Sequence, residues 1–389
     1  MSTDISPPLD GQCDPRFAPV REAFLENFTR RGEPGAAVSV MLHGVPVVDI
    51  WGGWKDKARE KTWEEYTIVN FFSVGKPLAA LCVLRLVERG MLDLDAPVAE
   101  VWPEFAASGK AGITTRHLLS HQAGLPAIRE ALPDDAMLDR PSMVAALERQ
   151  SPWWEPGAAH GYHVNTFGFL LGEVVARVAG MSLGTFFRNE ISGPLDADVW
   201  FGVPLSEQRR AAEYLWPEGA SAGPAPEGMT DEQLMRWNTY WNPAGISGAG
   251  YVNTTRWRAA ELPSTNGHGT ARGVAHIYAA LSLGGTFDGV EIIGEEMLKS
   301  ALVTQSDGLD RILERNTRFG LGFQLPIPER MIGPNPEAFG HFGAGGSLGF
   351  CDPKTGIAFA YVTNDMGPRW QNPRNAALVD AVYASLGCT

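Results

Sequence analysis

Two strand-like hairpins stand near opposite ends of this chain, and helix-like segments fill the sequence between them. Residues 35–54 (GAAVSVMLHGVPVVDIWGGW) alternate apolar and small residues around a turn at His43-Gly44, and residues 341–365 contain two apolar runs around DPKTG. The simplest arrangement places the strands from both ends in one sheet, with the helical middle of the chain as an insertion. We therefore predict an α/β fold, α+β in strict usage: an antiparallel sheet flanked by helices, with an inserted all-helical domain.

This arrangement gives approximate domain boundaries. Residues 1–80 and 265–389 are expected to form the α/β domain, and residues 81–264 the mainly helical inserted domain, with a functional site between them. The most linker-like stretch, residues 217–233 (PEGASAGPAPEGMTDEQ), is expected to be a surface loop or lid.

Charge and composition exclude several classes of function. The formal net charge of -13 lacks the clustered positive charge that binds a phosphate backbone, so we expect no nucleic-acid partner. The sequence shows neither a basic leader nor an apolar run long enough to cross a bilayer, which predicts a cytoplasmic protein without a membrane partner. The four cysteines have no paired spacing and are expected to be reduced thiols.

Ser73 and Lys76 open an apolar, helix-patterned segment, residues 71–90 (FFSVGKPLAALCVLRLVERG). Positions i and i+3 share a helix face, so the hydroxyl and the amine come within reach of each other. The unpaired N–H groups of a first helical turn also stabilise developing negative charge. Ser73 equally fits an ordinary helix cap. Lys76 favours the chemical alternative, because a buried lysine must be paired or lose its charge.

A serine nucleophile needs a base, and Tyr162 is a candidate. It lies between a Pro-Gly loop and an apolar helical segment. A phenol with a pKa of about 10 acts as a base at neutral pH only if a cation stabilises the phenolate. Lys76 is expected to supply that cation.

Five segments occur in an order that resembles the class C β-lactamase and penicillin-binding-protein superfamily, most closely its esterase branch, the family VIII carboxylesterases. The resemblance covers roughly residues 15–385. The segments are SVGK (73–76), TTRHLLSHQAGLP (114–126), WEPGAAHGYH (154–163), GHGTARGVAHIYAAL (267–281) and HFGAGGSLGF (341–350).

The resemblance implies a role for each matching residue. Ser73 would be the acylated nucleophile, Lys76 its electrostatic partner or proton relay, and Tyr162 the general base. The segment His341-Phe342-Gly343 takes the place of the family's Lys-Thr-Gly, which implies substrate binding by His341 and Gly343. The N–H groups of Ser73 and Ala344 would form the oxyanion hole.

Two departures from the family pattern bear on the substrate. The lactamase motif Tyr-x-Asn has Val164 at its third place, with Asn165 one position later. His341 replaces the motif lysine and is at most fractionally charged at neutral pH, so it offers no fixed cation to a substrate carboxylate. Both changes favour simple esters over penicillins.

The expected function is therefore serine-dependent hydrolysis of a small-molecule carboxylic ester through an acyl-enzyme, with no metal or organic cofactor. Two enzymatic alternatives use the same three residues: acyl transfer to an alcohol, and amide or β-lactam hydrolysis. A non-catalytic binding module of the same fold is a further alternative, disfavoured because such a module has no need of a costly buried polar cluster.

Other motifs are interpreted as structural. Residues 345–349 match Gly-x-Ser-x-Gly, but a second strand follows where that motif requires a helix, so Ser347 is not expected to be catalytic. His117 and His121 have the i, i+4 spacing of a zinc pair on a helix but lack a third ligand. Of the two histidines that flank Tyr162, His163 rather than His160 is expected to contact substrate.

Overall fold

The computed structural model describes residues 7–217, 225–367 and 370–387. Residues 218–224 of the predicted surface loop, and Cys388, lie outside the described residues. The strands are β1 Leu9–Cys13, β2 Gly35–Leu42, β3 Val45–Gly53, β4 Val69–Asn70, β5 Val199–Trp200, β6 His268–Gly269, β7 Thr286–Phe287, β8 Val290–Glu291, β9 Ser306–Leu309, β10 Asn316–Phe319, β11 Phe339–Phe342, β12 Leu348–Asp352 and β13 Ile357–Thr363. The α-helices are α1 Ala18–Arg30, α2 Gly75–Glu88, α3 Thr115–Leu119, α4 Arg140–Arg149, α5 Thr166–Ala179, α6 Leu183–Phe187, α7 Asp231–Trp241, α8 Thr255–Ala259, α9 Ala271–Ser282, α10 Glu295–Ala301 and α11 Pro373–Ser385.

The main sheet joins the two ends of the chain, as predicted. Its six strands lie in the order β1-β3-β2-β13-β12-β11, and every neighbouring pair is antiparallel. The central contact pairs β2 with β13, with Val38 opposite Tyr361. The first hairpin turns at His43-Gly44, where both residues have positive φ. The predicted fold class is confirmed.

Helices cover both faces of this sheet. On one face α1 and α11 pack together, and Phe24 and Leu378 lie in a buried cluster with Val38 and Phe359 of the strands. On the other face α9 lies across β2, β12 and β13. Two-sided cover explains why β13 is buried along its whole length.

The helical region packs against the α9 side, and α2 is its centre. Gly75 to Leu84 of α2 are all buried, and α2 packs against α5, another apolar helix. One buried apolar cluster includes Leu78 of α2, Leu171 of α5 and Val274 of α9. Because α2 runs across the predicted boundary at residues 80/81, the division into domains stays a prediction.

Among residues 7–217, 225–367 and 370–387, no single helix is long and apolar enough to cross a membrane. Residues Thr166–Ala179 and Leu183–Ser192 reach the required length and composition only when taken together, across a bend of 73°.

Candidate active site

Ser73 lies in a tight 3-10 turn, Phe72–Val74, that leads directly into α2. Phe72 holds a positive φ of 50°, a conformation that costs a non-glycine residue about 1–3 kcal/mol. Its ring packs edge-on against Tyr214, with ring centroids 4.9 Å apart, which helps to offset that cost. Neither this turn nor α2 has a side-chain cap, so Ser73 is not an ordinary helix-capping residue.

Lys76 lies directly behind the Ser73 hydroxyl. Its Nζ is 3.1 Å from Ser73 Oγ, 2.6 Å from the Val164 carbonyl oxygen and 3.1 Å from the Ser264 carbonyl oxygen. The side chain is 0% exposed. Among the described residues it has no carboxylate partner, and burial holds the pKa of Lys76 well below its ordinary value.

Tyr162 completes the cluster from the loop that precedes α5. Its ring is fully buried, lies 4.6 Å from Lys76 Nζ, and stacks on Phe319 at 5.9 Å between ring centroids. Burial raises the pKa of Tyr162 well above 10, and an interaction with the Ser73 hydroxyl opposes this shift only in part. Tyr162 is therefore a neutral phenol at pH 7 in this structure.

His341 holds the Tyr162 hydroxyl from the far side. Its Nδ1 lies 2.6 Å from the Phe342 carbonyl oxygen, which can only accept, so Nδ1 carries the ring hydrogen. Nε2 is then the acceptor for the Tyr162 hydroxyl, at 3.3 Å. Burial lowers the pKa of His341 to about 3, which keeps the ring neutral. His341 is 1% exposed and contacts Tyr162, and its predicted contact with substrate stays a prediction.

The Tyr162 loop is anchored by a buried carboxylate that the sequence analysis missed. Both oxygens of Asp310 accept from the Tyr162 N–H, at 3.0 Å and 3.1 Å. Asp310 also accepts from the N–H groups of Ile312 and Leu313 and from the Thr317 hydroxyl. The sequence gives little indication of this role, because aspartate is a common residue in turns.

Gly343 brings the edge strand β11 against the serine turn. A Cβ on Gly343 would lie 2.2 Å from the Phe71 carbonyl oxygen, so only glycine permits this approach. Gly343 therefore positions backbone, and its predicted contact with substrate stays a prediction. Ala344 follows it at the start of another 3-10 turn, and β11 contacts the turn that carries Ser73.

His163 is buried in the loop that carries Tyr162. It is 0% exposed, its Nε2 accepts from the Leu125 N–H at 3.0 Å, and its Nδ1 donates to the Gly161 carbonyl at 2.6 Å. With both ring nitrogens bonded to backbone, His163 braces the Tyr162 loop, and its predicted contact with substrate stays a prediction. The side chain of Asn165 is likewise occupied, by the Thr239 carbonyl and the hydroxyls of Ser247 and Thr265.

The histidine pair at 117 and 121 does not share a helix. Helix α3 ends at Leu119, and His121 has a positive φ of 61°. His117 instead accepts from the Thr114 N–H, and His121 accepts from the His163 N–H. In the part of the chain that the structure describes, no group of three or more His, Cys, Asp or Glu side chains could hold a metal ion.

A buried lysine between a helix-leading serine and a tyrosine, beside the edge strand of an antiparallel sheet, defines a serine hydrolase of the β-lactamase and penicillin-binding-protein fold. The chain belongs to the β-lactamase family, whose model, described as Beta-lactamase, matches residues 20–384.

Relatives within the family include esterases. The chain is similar to Esterase EstB of Burkholderia gladioli, at 41% identity over 375 residues, 90% of this chain and 91% of that protein. It is also similar to Esterase/beta-lactamase LipL of Mycobacterium tuberculosis, at 36% identity over 360 residues, 91% and 82% of the two chains. The solved structure of a family VIII carboxylesterase matches with a TM-score of 0.89 at 38% identity, covering 97% of this chain and 100% of that chain. The predicted superfamily, its esterase branch and the carboxylesterase type of hydrolase are confirmed.

Proposed function

We propose that this protein hydrolyses small carboxylic esters through an acyl-enzyme on Ser73. The observation that carries the proposal is the placement of Lys76, buried without a carboxylate partner among the described residues and 3.1 Å from Ser73 Oγ. A desolvated amine next to a serine hydroxyl is a suitable base at neutral pH.

The surroundings of Nζ fit a neutral amine. An uncharged Lys76 has two N–H groups and one lone pair. The carbonyl oxygens of Val164 and Ser264 accept the two hydrogens, which leaves the lone pair for the Ser73 hydroxyl hydrogen. As Ser73 Oγ bonds to the ester carbonyl carbon, its proton passes to Nζ and the carbonyl oxygen becomes an oxyanion.

Tyr162 then serves as the proton donor to the leaving alcohol. Its neutral phenol lies next to both Ser73 and Lys76, so it can give its proton to the departing oxygen and receive the one held by Lys76. Water then hydrolyses the acyl-enzyme, and the same proton transfers occur in the reverse order. This assignment differs from the expected resting phenolate, because burial disfavours charge on both Lys76 and Tyr162.

Two backbone N–H groups are proposed as the oxyanion hole. Ser73 stands in the first turn before α2, where N–H groups have no helical partner. Ala344 follows Gly343, whose contact with Phe71 brings β11 beside that turn. The pair would receive the negative charge that develops on the substrate oxygen.

The cleft beside Tyr162 supports an ester substrate with apolar groups. The partly buried apolar residues Val164, Tyr240, Leu313 and Trp370 pack against the cluster that contains Tyr162 and would form the apolar walls of this cleft. Asn165 and His341, the residues closest to the lactamase positions that bind a β-lactam, are buried and occupied by internal hydrogen bonds. Simple esters need neither contact.

A matched pair of serine variants tests the proposal. Ser73→Ala should abolish hydrolysis of p-nitrophenyl esters from acetate to decanoate. Ser347→Ala should leave it within about twofold, since Ser347 Oγ is buried without a hydrogen-bond partner among the described residues and its loss removes no bond. Turnover in Ser73→Ala, or its loss in Ser347→Ala with the fold intact, would contradict the assignment. A chromogenic cephalosporin in the same panel should be cleaved slowly or not at all.

A further inference from the structure

Arg315 lies near Tyr162 and has no acidic partner within 4.0 Å among the described residues. Arg315 precedes β10 in the turn that follows β9, and Asp310 fixes this turn: its N–H donates to the Arg315 carbonyl at 3.0 Å. The same Asp310 carboxylate binds the Tyr162 N–H. Asp310 therefore fixes the position of the turn that carries Arg315 relative to the loop that carries Tyr162.

An aromatic ring connects the guanidinium to the site. Arg315 Cζ lies 4.9 Å from the Trp370 ring centroid, and that centroid lies 5.3 Å from the Tyr162 ring centroid. Taken together, the two distances place the guanidinium within about 10 Å of the Tyr162 ring, roughly one Debye length at 0.1 M salt. Stacking on Trp370 also limits the freedom of a long side chain that would otherwise have to be ordered on binding.

The charge of Arg315 is not neutralised by a carboxylate within 4.0 Å in the described part of the chain. Arg330 likewise has no carboxylate within 4.0 Å in the described part of the chain: its Nη1 donates to the Asn316 carbonyl, the charge of Arg315 repels it, and Glu329 attracts it more weakly. Nearby arginines differ, since Arg311 pairs with Glu232 at 2.6 Å and Arg236 pairs with Glu314 at 3.5 Å. In a chain of net charge -13, two neighbouring arginines with no carboxylate within 4.0 Å in the described ranges are a local exception.

We propose that Arg315 is a specificity-determining residue that binds a carboxylate carried by the ester substrate, several bonds away from the scissile carbonyl. The guanidinium matches a carboxylate in charge and in its planar donor geometry. It would provide the cation that neutral His341 does not. This inference rests on the proposed ester hydrolysis and adds the class of substrate, an acidic ester.

Two nearly isosteric esters test it: the mono-p-nitrophenyl ester of suberic acid, which ends in a carboxylate, and its neutral methyl ester. The ratio of kcat/KM for the acidic ester to that for the neutral ester is measured in wild type, Arg315→Gln and Arg236→Gln. Arg236 is the matched control, because it carries the same charge on the neighbouring helix α7 and already has acidic partners.

The expected result is a ratio about fivefold lower in Arg315→Gln than in wild type, an effect near the upper end for exposed ion pairs. The neutral ester should react within about twofold of wild type, and Arg236→Gln should keep the wild-type ratio. An unchanged ratio in Arg315→Gln, or an equal fall in Arg236→Gln, would overturn the inference. Either result would leave ester hydrolysis itself intact, whereas loss of both ester activities in wild type would refute the proposed function.

Discussion

Replacing His341 by phenylalanine tests whether this residue acts through Tyr162 or by binding substrate. The sequence predicted that it binds substrate, which would place its effect in KM. The structure places it behind Tyr162, where Nε2 accepts from the phenol at 3.3 Å. His341→Phe keeps an aromatic ring for the stacking on Tyr162, 5.7 Å between centroids, and removes the acceptor. We expect its effect in kcat.

The magnitude follows from the lost hydrogen bond. A buried polar group left without its partner costs about 1–3 kcal/mol. If that cost falls on the orientation of Tyr162 in the transition state, kcat drops about 5- to 160-fold, since each 1.36 kcal/mol is a factor of ten. His341→Gln can both donate to the Phe342 carbonyl and accept from Tyr162, so it should recover part of the loss.

The assay is steady-state hydrolysis of p-nitrophenyl butyrate, with kcat and KM fitted separately and the melting temperature recorded for each variant. A rise in KM at unchanged kcat in His341→Phe would refute the reasoning and restore the substrate-binding role. A fall to the level of Ser73→Ala, without rescue by glutamine, would also refute it, because His341 would then have to carry a proton itself.

Three further variants test the buried charges and the close packing. Lys76→Met should be inactive. Because burial holds the folded-state pKa of Lys76 below 10.5, the free energy of unfolding of the wild type falls as pH drops from 10.5 toward that pKa. Denaturation of Lys76→Met at a series of pH values should lack this pH dependence. Burial raises the pKa of Glu33 from 4.5 to about 7. Its contribution to the free energy of unfolding is therefore present below pH 4.5 and is lost, by about 3 kcal/mol, as pH rises to about 7. Glu33→Gln should remove this loss, and an unchanged pH profile of the melting temperature would contradict the prediction. Gly343→Ala, whose Cβ would meet the Phe71 carbonyl at 2.2 Å, should lower kcat/KM by roughly 100-fold. Gly172→Ala within α5, with open space at its Cβ, should remain active and gain about 0.5–1 kcal/mol of stability. Equal activity of the two variants would contradict the argument.

The architecture could be predicted because its determinants are local or periodic. The alternating runs around His43-Gly44 and around residues 352–356 define two hairpins, and both form as expected. The apolar segments that became α2, α5 and α9 were equally clear. Helix α3 was overestimated, since the pattern continued beyond Leu119 while the backbone turned at His121.

The site was predictable only where a side chain carries the chemistry in a recognisable motif. Ser73, Lys76 and Tyr162 were found in this way, and the structure brings them together. The carbonyl oxygens of Val164 and Ser264 gave no signal, because every residue has one. The hydrogen bonds of His163 and His341 could not be predicted either, because a sequence shows that a histidine adjoins a motif but not which groups its ring nitrogens contact.

The acyl-enzyme on Ser73 is the central claim, and rapid mixing followed by intact-mass measurement tests it most directly. On mixing with excess p-nitrophenyl butyrate and quenching in acid, the protein should gain the mass of one butyryl group, mapped to a peptide containing Ser73. Ser73→Ala should gain none. Hydrolysis at the wild-type rate without any adduct, even under conditions that slow deacylation, or an adduct on another residue, would contradict the account.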